Sequence, residues 1–82
     1  LLQHQAKDKR TQSLEQTLSG RELEIFEKIG LGYTRAQLAE ELCISARTVD
    51  SHLDRIKTKL ECQRMAHLTR LAVQYQLAKA NR

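Results

Sequence analysis

Three helix-start signatures, close together along the chain, constrain its fold more than any other feature. Each has a hydroxyl residue that can accept a hydrogen bond from the free amides of a first helical turn, at Ser19, Thr34 and Ser45. Apolar residues flank each cap in the positions of a hydrophobic staple, as Ile44 and Val49 do around Ser45. The pattern predicts helices joined by very short connections.

We predict an all-α chain of four helices, at about residues 19–29, 34–42, 45–60 and 64–79. Glycines in the segment 30–32 end the first helix, since glycine tolerates the left-handed conformation found after a helix. The absence of proline and the presence of only three aromatic residues favour helices over a sheet. Helical spacing predicts the following core residues: Ile25, Phe26, Ile29, Leu38, Ala39, Leu42, Val49, Leu53, Ile56, Leu60, Met65, Leu68, Ala72 and Tyr75.

The 82 residues suffice for one small domain. Residues 1–17 are rich in glutamine and charge and are predicted to be a linker that can be partly helical, whereas residues 18–82 form the domain. Because the chain begins at Leu1 rather than at methionine, we expect it to be a fragment of a longer protein. No apolar run is long enough to span a bilayer and no signal peptide is visible, so we expect no membrane partner and a cytoplasmic location.

The chemistry-bearing residues do not suggest catalysis. Cys43, His52, Cys62 and His67 lack the spacing of a zinc site, and the two cysteines are predicted to be reduced thiols filling small apolar gaps. No nucleophile lies beside a base at a workable spacing, and no glycine-rich phosphate loop is present. We therefore expect neither an enzyme nor a bound cofactor or metal.

Positive charge is concentrated in the second half of the chain. Residues 18–44 carry a balance of −2, whereas residues 45–82 carry eight basic and three acidic side chains, a balance of +5. The positive half contains the third predicted helix, which would suit a polyanionic partner.

The third predicted helix has two distinct faces at 100° per residue. Its apolar residues fall in one narrow arc, and its opposite side carries Arg47, Asp50, Ser51, Asp54 and Thr58. This surface can be an ordinary solvated helix face or a surface that contacts DNA. The tight turn before the helix favours DNA, because a short helix bracing a protruding one is how small domains reach a groove.

Leu18–Ala72 resembles the helix-turn-helix domain of the LuxR/FixJ (NarL-type) transcription regulators, a group that includes GerE. The matching motifs are Leu18-Ser19-Gly20-Arg21-Glu22, Gly32-Tyr33-Thr34, Leu38-Ala39-Glu40-Glu41-Leu42, Ile44-Ser45, Thr48-Val49, His52, Ile56 and Lys59-Leu60. The resemblance implies a four-helix domain whose third helix enters the major groove and whose fourth helps it dimerise on paired half-sites.

The resemblance also implies roles for individual positions. Base contacts would come from Arg47, Asp50, Ser51 and Asp54. Phosphate contacts would come from Thr34, Arg35, Thr48, Arg55 and Lys59. Glu22 would be a capping and structural residue and His52 a packing residue. On the fourth helix, a mild stripe at helical spacing, Thr69, Val73, Gln76 and Ala80, is predicted to face a second subunit.

Two departures from the family pattern affect these assignments. Asp50 stands where the family usually has lysine, and Asp54 adds a second carboxylate one turn later. The aspartates can accept a hydrogen bond from cytosine N4, or they can pair within the helix with Arg47, Lys57 or Arg55. Both interpretations stay open. The second departure is Arg64-Met65, where the family often has asparagine-arginine, at the start of the fourth helix.

Three hypotheses for function follow. The first is a sequence-specific, dimerising DNA-binding output domain of a bacterial transcription regulator, at the C-terminus of a response regulator. The second is a domain similar to region 4 of an RNA polymerase sigma factor, which would bind promoter and polymerase. The third is a degenerate helix-turn-helix that serves only protein association, for which Asp50 and Asp54 would be the clue.

Overall fold

The computed structural model describes residues 14–81, and within them it confirms the four predicted helices. They are α1 (Gly20–Gly30), α2 (Arg35–Leu42), α3 (Ala46–Lys59) and α4 (Met65–Ala80). Residues 14–17 are also helical, and no strand occurs within residues 14–81. No helix in this range is long and apolar enough to cross a membrane.

All three predicted caps are present. The Ser19 hydroxyl accepts the Glu22 N–H at 3.2 Å while the Glu22 carboxylate accepts the Ser19 N–H at 2.9 Å. Thr34 and Gln37 close the same reciprocal pair at 3.1 and 2.8 Å. Ser45 accepts the N–H of the third helical residue at 3.0 Å. The starts of α1, α2 and α3 are therefore marked by residues within three positions of their caps.

The core forms where α1 packs against α4 and against α3. Phe26 is fully buried, and its ring centroid lies 5.6 Å from that of Tyr75. Gly30 lets α1 approach α4 closely, because a Cβ there would lie only 2.4 Å from the Ala72 carbonyl oxygen. The buried apolar residues are Leu18, Ile25, Phe26, Ile29, Leu38, Val49, Leu53, Ile56, Cys62, Leu68, Ala72 and Tyr75.

Two core assignments were wrong. Met65 is 39% exposed, because it is the first residue of α4 and lies at the rim of the core rather than over it. Cys43 fills no apolar gap: it is exposed and adopts a left-handed conformation (φ 57°) at the end of α2. Cys62 does fill such a gap, and burial raises the pKa of its thiol.

The ends of the domain add two details. Leu14 packs against the core, and Glu15 Oε2 accepts a 2.9 Å hydrogen bond from the Tyr75 hydroxyl. The boundary after residue 17 stays a prediction, and residues 1–13 of the predicted linker lie outside the described residues. Arg64 directly precedes α4, and its side chain makes no capping hydrogen bond.

Candidate nucleic-acid interface

The helices α2 and α3 form a helix-turn-helix with a connection of only three residues, 43–45. The left-handed Cys43 reverses the chain, and the Ile44 N–H returns to the Ala39 carbonyl at 3.0 Å. Leu38 of α2 and Val49 and Leu53 of α3 are buried, so α3 faces inward with one side and exposes the other.

Two arginines dominate the exposed side of α3. Arg47 and Arg55 are both exposed, and neither forms an ion pair with a carboxylate within residues 14–81. Ser51 is exposed beside them and its hydroxyl donates to the Arg47 carbonyl at 3.3 Å. These side chains are available to a partner that approaches α3 from solvent.

Asp50 does not pair within its own helix, contrary to one of the two sequence interpretations. Its carboxylate accepts two hydrogen bonds from Arg35 of α2, from Nε to Oδ1 at 2.6 Å and from Nη2 to Oδ2 at 2.8 Å. Asp50 is also half-buried, so it lies on the side of α3 facing α2 rather than at the centre of the outer face. Helical periodicity predicted Asp50 on the outer face of α3, whereas the structure has it at the edge of that face next to α2.

The contact favours the charged forms of both side chains. The hydrogen bond from Arg35, together with the charges of Arg35 and Lys57, holds the pKa of Asp50 below its ordinary value. Asp50 in turn raises the pKa of Arg35. The predicted phosphate contact Arg35 and the predicted base contact Asp50 therefore form one bidentate ion pair.

Asp54 follows the intrahelical alternative. Its Oδ1 lies 3.5 Å from Lys57 Nζ, one turn along α3, and its side chain is 76% exposed. Such an exposed pair is weak and leaves the carboxylate accessible to solvent.

Lys59 is engaged on the inner side of the domain. Its Nζ donates to Glu22 Oε1 at 2.7 Å, and the Glu22 side chain is only 5% exposed whereas that of Lys59 is 39% exposed. The Lys59 hydrogen bond, followed by that of the Ser19 amide, lowers the pKa of Glu22. The structural role expected for Glu22 is present, but its partner was missed because the two residues are 37 positions apart.

The two predicted threonine contacts are occupied locally. The Thr34 hydroxyl caps α2. The Thr48 hydroxyl lies 2.9 Å from the Ser45 hydroxyl. Both residues are exposed, so a phosphate could contact their hydroxyls while these local hydrogen bonds stay in place.

His52 is half-buried, and its Nδ1 has no hydrogen-bond partner within residues 14–81. This placement suits the packing role expected of it.

The predicted dimer stripe on α4 is only partly exposed to a partner. Thr69, Val73 and Ala80 are exposed, but the Gln76 amide turns toward α1 and donates to the Glu27 carbonyl at 2.9 Å. Leu77, one turn after Val73, is 59% exposed and extends the exposed apolar surface of α4.

Comparisons with known proteins support the resemblance. The chain is 39% identical over 59 residues to the transcriptional activator protein ExaE of Pseudomonas putida, which covers 72% of this chain and 28% of that protein. It is 40% identical over 60 residues to the oxygen regulatory protein NreC of Staphylococcus haemolyticus (strain JCSC1435) and to that of Staphylococcus aureus (strain JH9), covering 73% of this chain and 28% of each. The chain thus spans just over a quarter of the length of these relatives.

No solved structure matches the chain significantly. The family profile described as "Bacterial regulatory proteins, luxR family" matches residues 16–72, which include the whole helix-turn-helix and the first half of α4. With the caps, the short turn and the four helices all in place, the chain belongs to the luxR family of bacterial regulatory proteins.

Proposed function

We propose that this chain is the sequence-specific DNA-binding output domain of a bacterial transcription regulator, with α3 entering the major groove. The observation that carries the proposal is the exposed side of α3, where Arg47 and Arg55 project without a carboxylate partner among residues 14–81. Such a helix, braced by a shorter one, matches the groove-binding arrangement of helix-turn-helix proteins. Membership of the luxR family favours this hypothesis over the sigma-factor alternative.

Within this proposal, Arg47 contacts a base edge, since arginine pairs bidentately with guanine in the major groove. Ser51 and the exposed Asp54 lie beside it as further base contacts, and Asp50 was assigned with them from the sequence. Arg35 and Arg55 provide phosphate contacts on the two sides of the reading face. Thr34 and Thr48 complete the proposed phosphate set. The resemblance also assigned Lys59 to it, but the ion pair between Lys59 and the buried Glu22 favours a role in the fold. Phosphate contacts supply affinity and base contacts supply sequence preference.

The wider context is also a proposal. The matched segment covers 28% of these relatives, which supports a domain of a longer protein. From the LuxR/FixJ resemblance we infer that this domain works at the C-terminus of a response regulator of a two-component system. Such a protein acts on the bacterial chromosome in the cytoplasm and can contact RNA polymerase there. It binds DNA as a homodimer through the exposed part of α4, where Thr69, Val73, Leu77 and Ala80 lie.

The test is selection of bound duplexes from a random DNA pool by the 82-residue chain, followed by titration of the recovered duplex at several salt concentrations. We expect one enriched sequence with two half-sites and a log–log salt slope of about −0.9 per neutralised phosphate. Enrichment of no sequence, with retained self-association, would instead support a helix-turn-helix that serves protein association.

Arg47→Ala tests the base contact. We expect about 1–3 kcal/mol weaker binding to the recovered duplex and a relaxed preference at one position of each half-site. Binding to a scrambled duplex should change less, because a base contact adds little there. Unchanged affinity and unchanged preference would remove Arg47 from the proposed base contacts.

A further inference from the structure

The ion pair between Arg35 and Asp50 joins the two helices of the helix-turn-helix at the surface that the proposed function assigns to DNA. Arg35 is the first residue of α2, and Asp50 lies in the second turn of α3. The side chains are 55% and 47% exposed, and both oxygens of the carboxylate accept from the same edge of the guanidinium. This fork geometry fixes the plane of the guanidinium as well as its position.

The contact leaves Arg35 with unused donors. A guanidinium carries five N–H groups, and the pairing with Asp50 engages one on Nε and one on Nη2. The remaining three belong to Nη1 and Nη2, at the end of the side chain away from the carboxylate. Arg35 can therefore donate to a second anionic group without releasing Asp50.

We expect the ion pair between Arg35 and Asp50 to contribute little to the free energy of unfolding. Exposed ion pairs contribute little, because water screens the charges and two long side chains lose conformational freedom. A lone carboxylate would also repel a phosphate backbone, whereas a carboxylate bound to arginine forms a neutral unit with a directed donor edge. Orientation of Arg35 toward a polyanion explains both the geometry and the acidic residue on this helix.

We propose that Asp50 is a positioning residue that holds the Arg35 guanidinium so that its free N–H groups contact a DNA phosphate, and that Asp50 itself touches no base. The proposal rests on the proposed DNA-binding function. Arg47 and Asp54 remain the proposed base contacts. The two aspartates therefore have different roles: Asp50 acts through Arg35, whereas Asp54, which among residues 14–81 has only an exposed 3.5 Å pair with Lys57, contacts a base.

A double-mutant cycle tests this proposal. The four proteins are the wild-type 82-residue chain, Arg35→Ala, Asp50→Ala and the double variant. Each is titrated with the duplex recovered by selection and with a scrambled duplex, at several salt concentrations. Glu41→Ala is the matched control, because it removes one exposed carboxylate from the helix-turn-helix, has no ion pair with Arg35 and lies outside the proposed DNA contacts.

We expect Asp50→Ala to weaken binding of the wild-type chain to both duplexes by at least about threefold. In the Arg35→Ala background the same change should leave binding equal or make it tighter, because the carboxylate then only repels phosphates. Arg35→Ala should reduce the magnitude of the salt slope by about one. Base preferences measured by repeated selection should be those of wild type for Asp50→Ala but altered for Asp54→Ala.

Three results would overturn the proposal. Tighter binding of Asp50→Ala in the wild-type background would mean that Asp50 only masks Arg35. Equal losses in both backgrounds would mean that the residues act independently. A changed preference at one base pair in both backgrounds would make Asp50 a base contact. If wild type binds no duplex, the proposed function fails first and the proposal falls with it; if wild type binds, any failure belongs to the positioning role alone.

Discussion

Two ion pairs of almost equal length show how differently one type of contact can serve this domain. Lys59 and Glu22 meet at 2.7 Å, and Arg35 and Asp50 at 2.6 Å. In the first pair the carboxylate is buried among the helix ends, and it also accepts the amide that starts α1. In the second pair both side chains are about half exposed.

The difference lies in what happens to the carboxylate when its partner is lost. A buried carboxylate without its cation is left in a medium that solvates it poorly, which costs folding free energy. An exposed one simply returns to water. We therefore expect the Lys59 pair to stabilise the fold, although the resemblance implied a phosphate contact for Lys59. The Arg35 pair lies at the surface, and we expect its effect in DNA binding.

The largest expected effect that separates the pairs is on stability. Lys59→Met should lower the free energy of unfolding by about 2 kcal/mol, because it leaves the Glu22 carboxylate buried with only the Ser19 amide. The partial exposure of Lys59 keeps the loss below that of a fully buried pair. Urea unfolding followed by circular dichroism measures it.

Arg55→Met is the matched control for Lys59→Met, one turn earlier on α3 and without a carboxylate partner within residues 14–81. Arg55→Met should have the wild-type free energy of unfolding. It should reduce the magnitude of the salt slope of DNA binding by about one. Suppose instead that Lys59→Met reduces the magnitude of the salt slope and leaves stability unchanged. Lys59 then contacts a phosphate, and its ion pair with Glu22 does not stabilise the fold.

A smaller effect is expected in the pH dependence of stability. The pKa of Glu22 is lowered in the folded chain, so its contribution is present above the ordinary value of 4.5 and is lost as pH falls through the folded pKa. Glu22→Gln cannot ionise and lacks this contribution. The stability gap between wild type and Glu22→Gln should therefore shrink from pH 6 toward about pH 3. A gap that stays constant over this range would show that the Glu22 charge is not stabilised by folding.

The smallest effect is expected from the exposed pair. Asp50→Ala and Arg35→Ala should each have a melting temperature close to that of wild type, since neither change leaves a buried charge. The melting temperature by circular dichroism measures this, with Lys59→Met as the destabilised reference. A clear drop for Asp50→Ala would mean that the pair holds α2 against α3, and that its effect on DNA binding is indirect.

Most of the fold could be predicted because its determinants are local. The caps at Ser19, Thr34 and Ser45 involve residues three positions away, and the core stripes follow from helical periodicity. Met65 was misplaced because periodicity says nothing about where a neighbouring helix stops covering a stripe.

The candidate site was predicted as a set of positions but not as a set of contacts. Arg35 and Asp50 are 15 positions apart and Glu22 and Lys59 are 37 apart, so no pattern within a helix reveals either pair. The hydrogen bond from Gln76 to α1 was not predicted for the same reason, since it depends on the docking of two helices. Which cation meets which carboxylate is decided by tertiary packing.

The three caps also bear on how this chain folds. Starting a helix is the costly step, because several backbone angles must be ordered before the first hydrogen bond forms. A cap that ties the first turn to itself reduces that cost in the unfolded chain, without help from distant residues. Residues 19–60 should therefore populate short-lived helical turns in the unfolded chain.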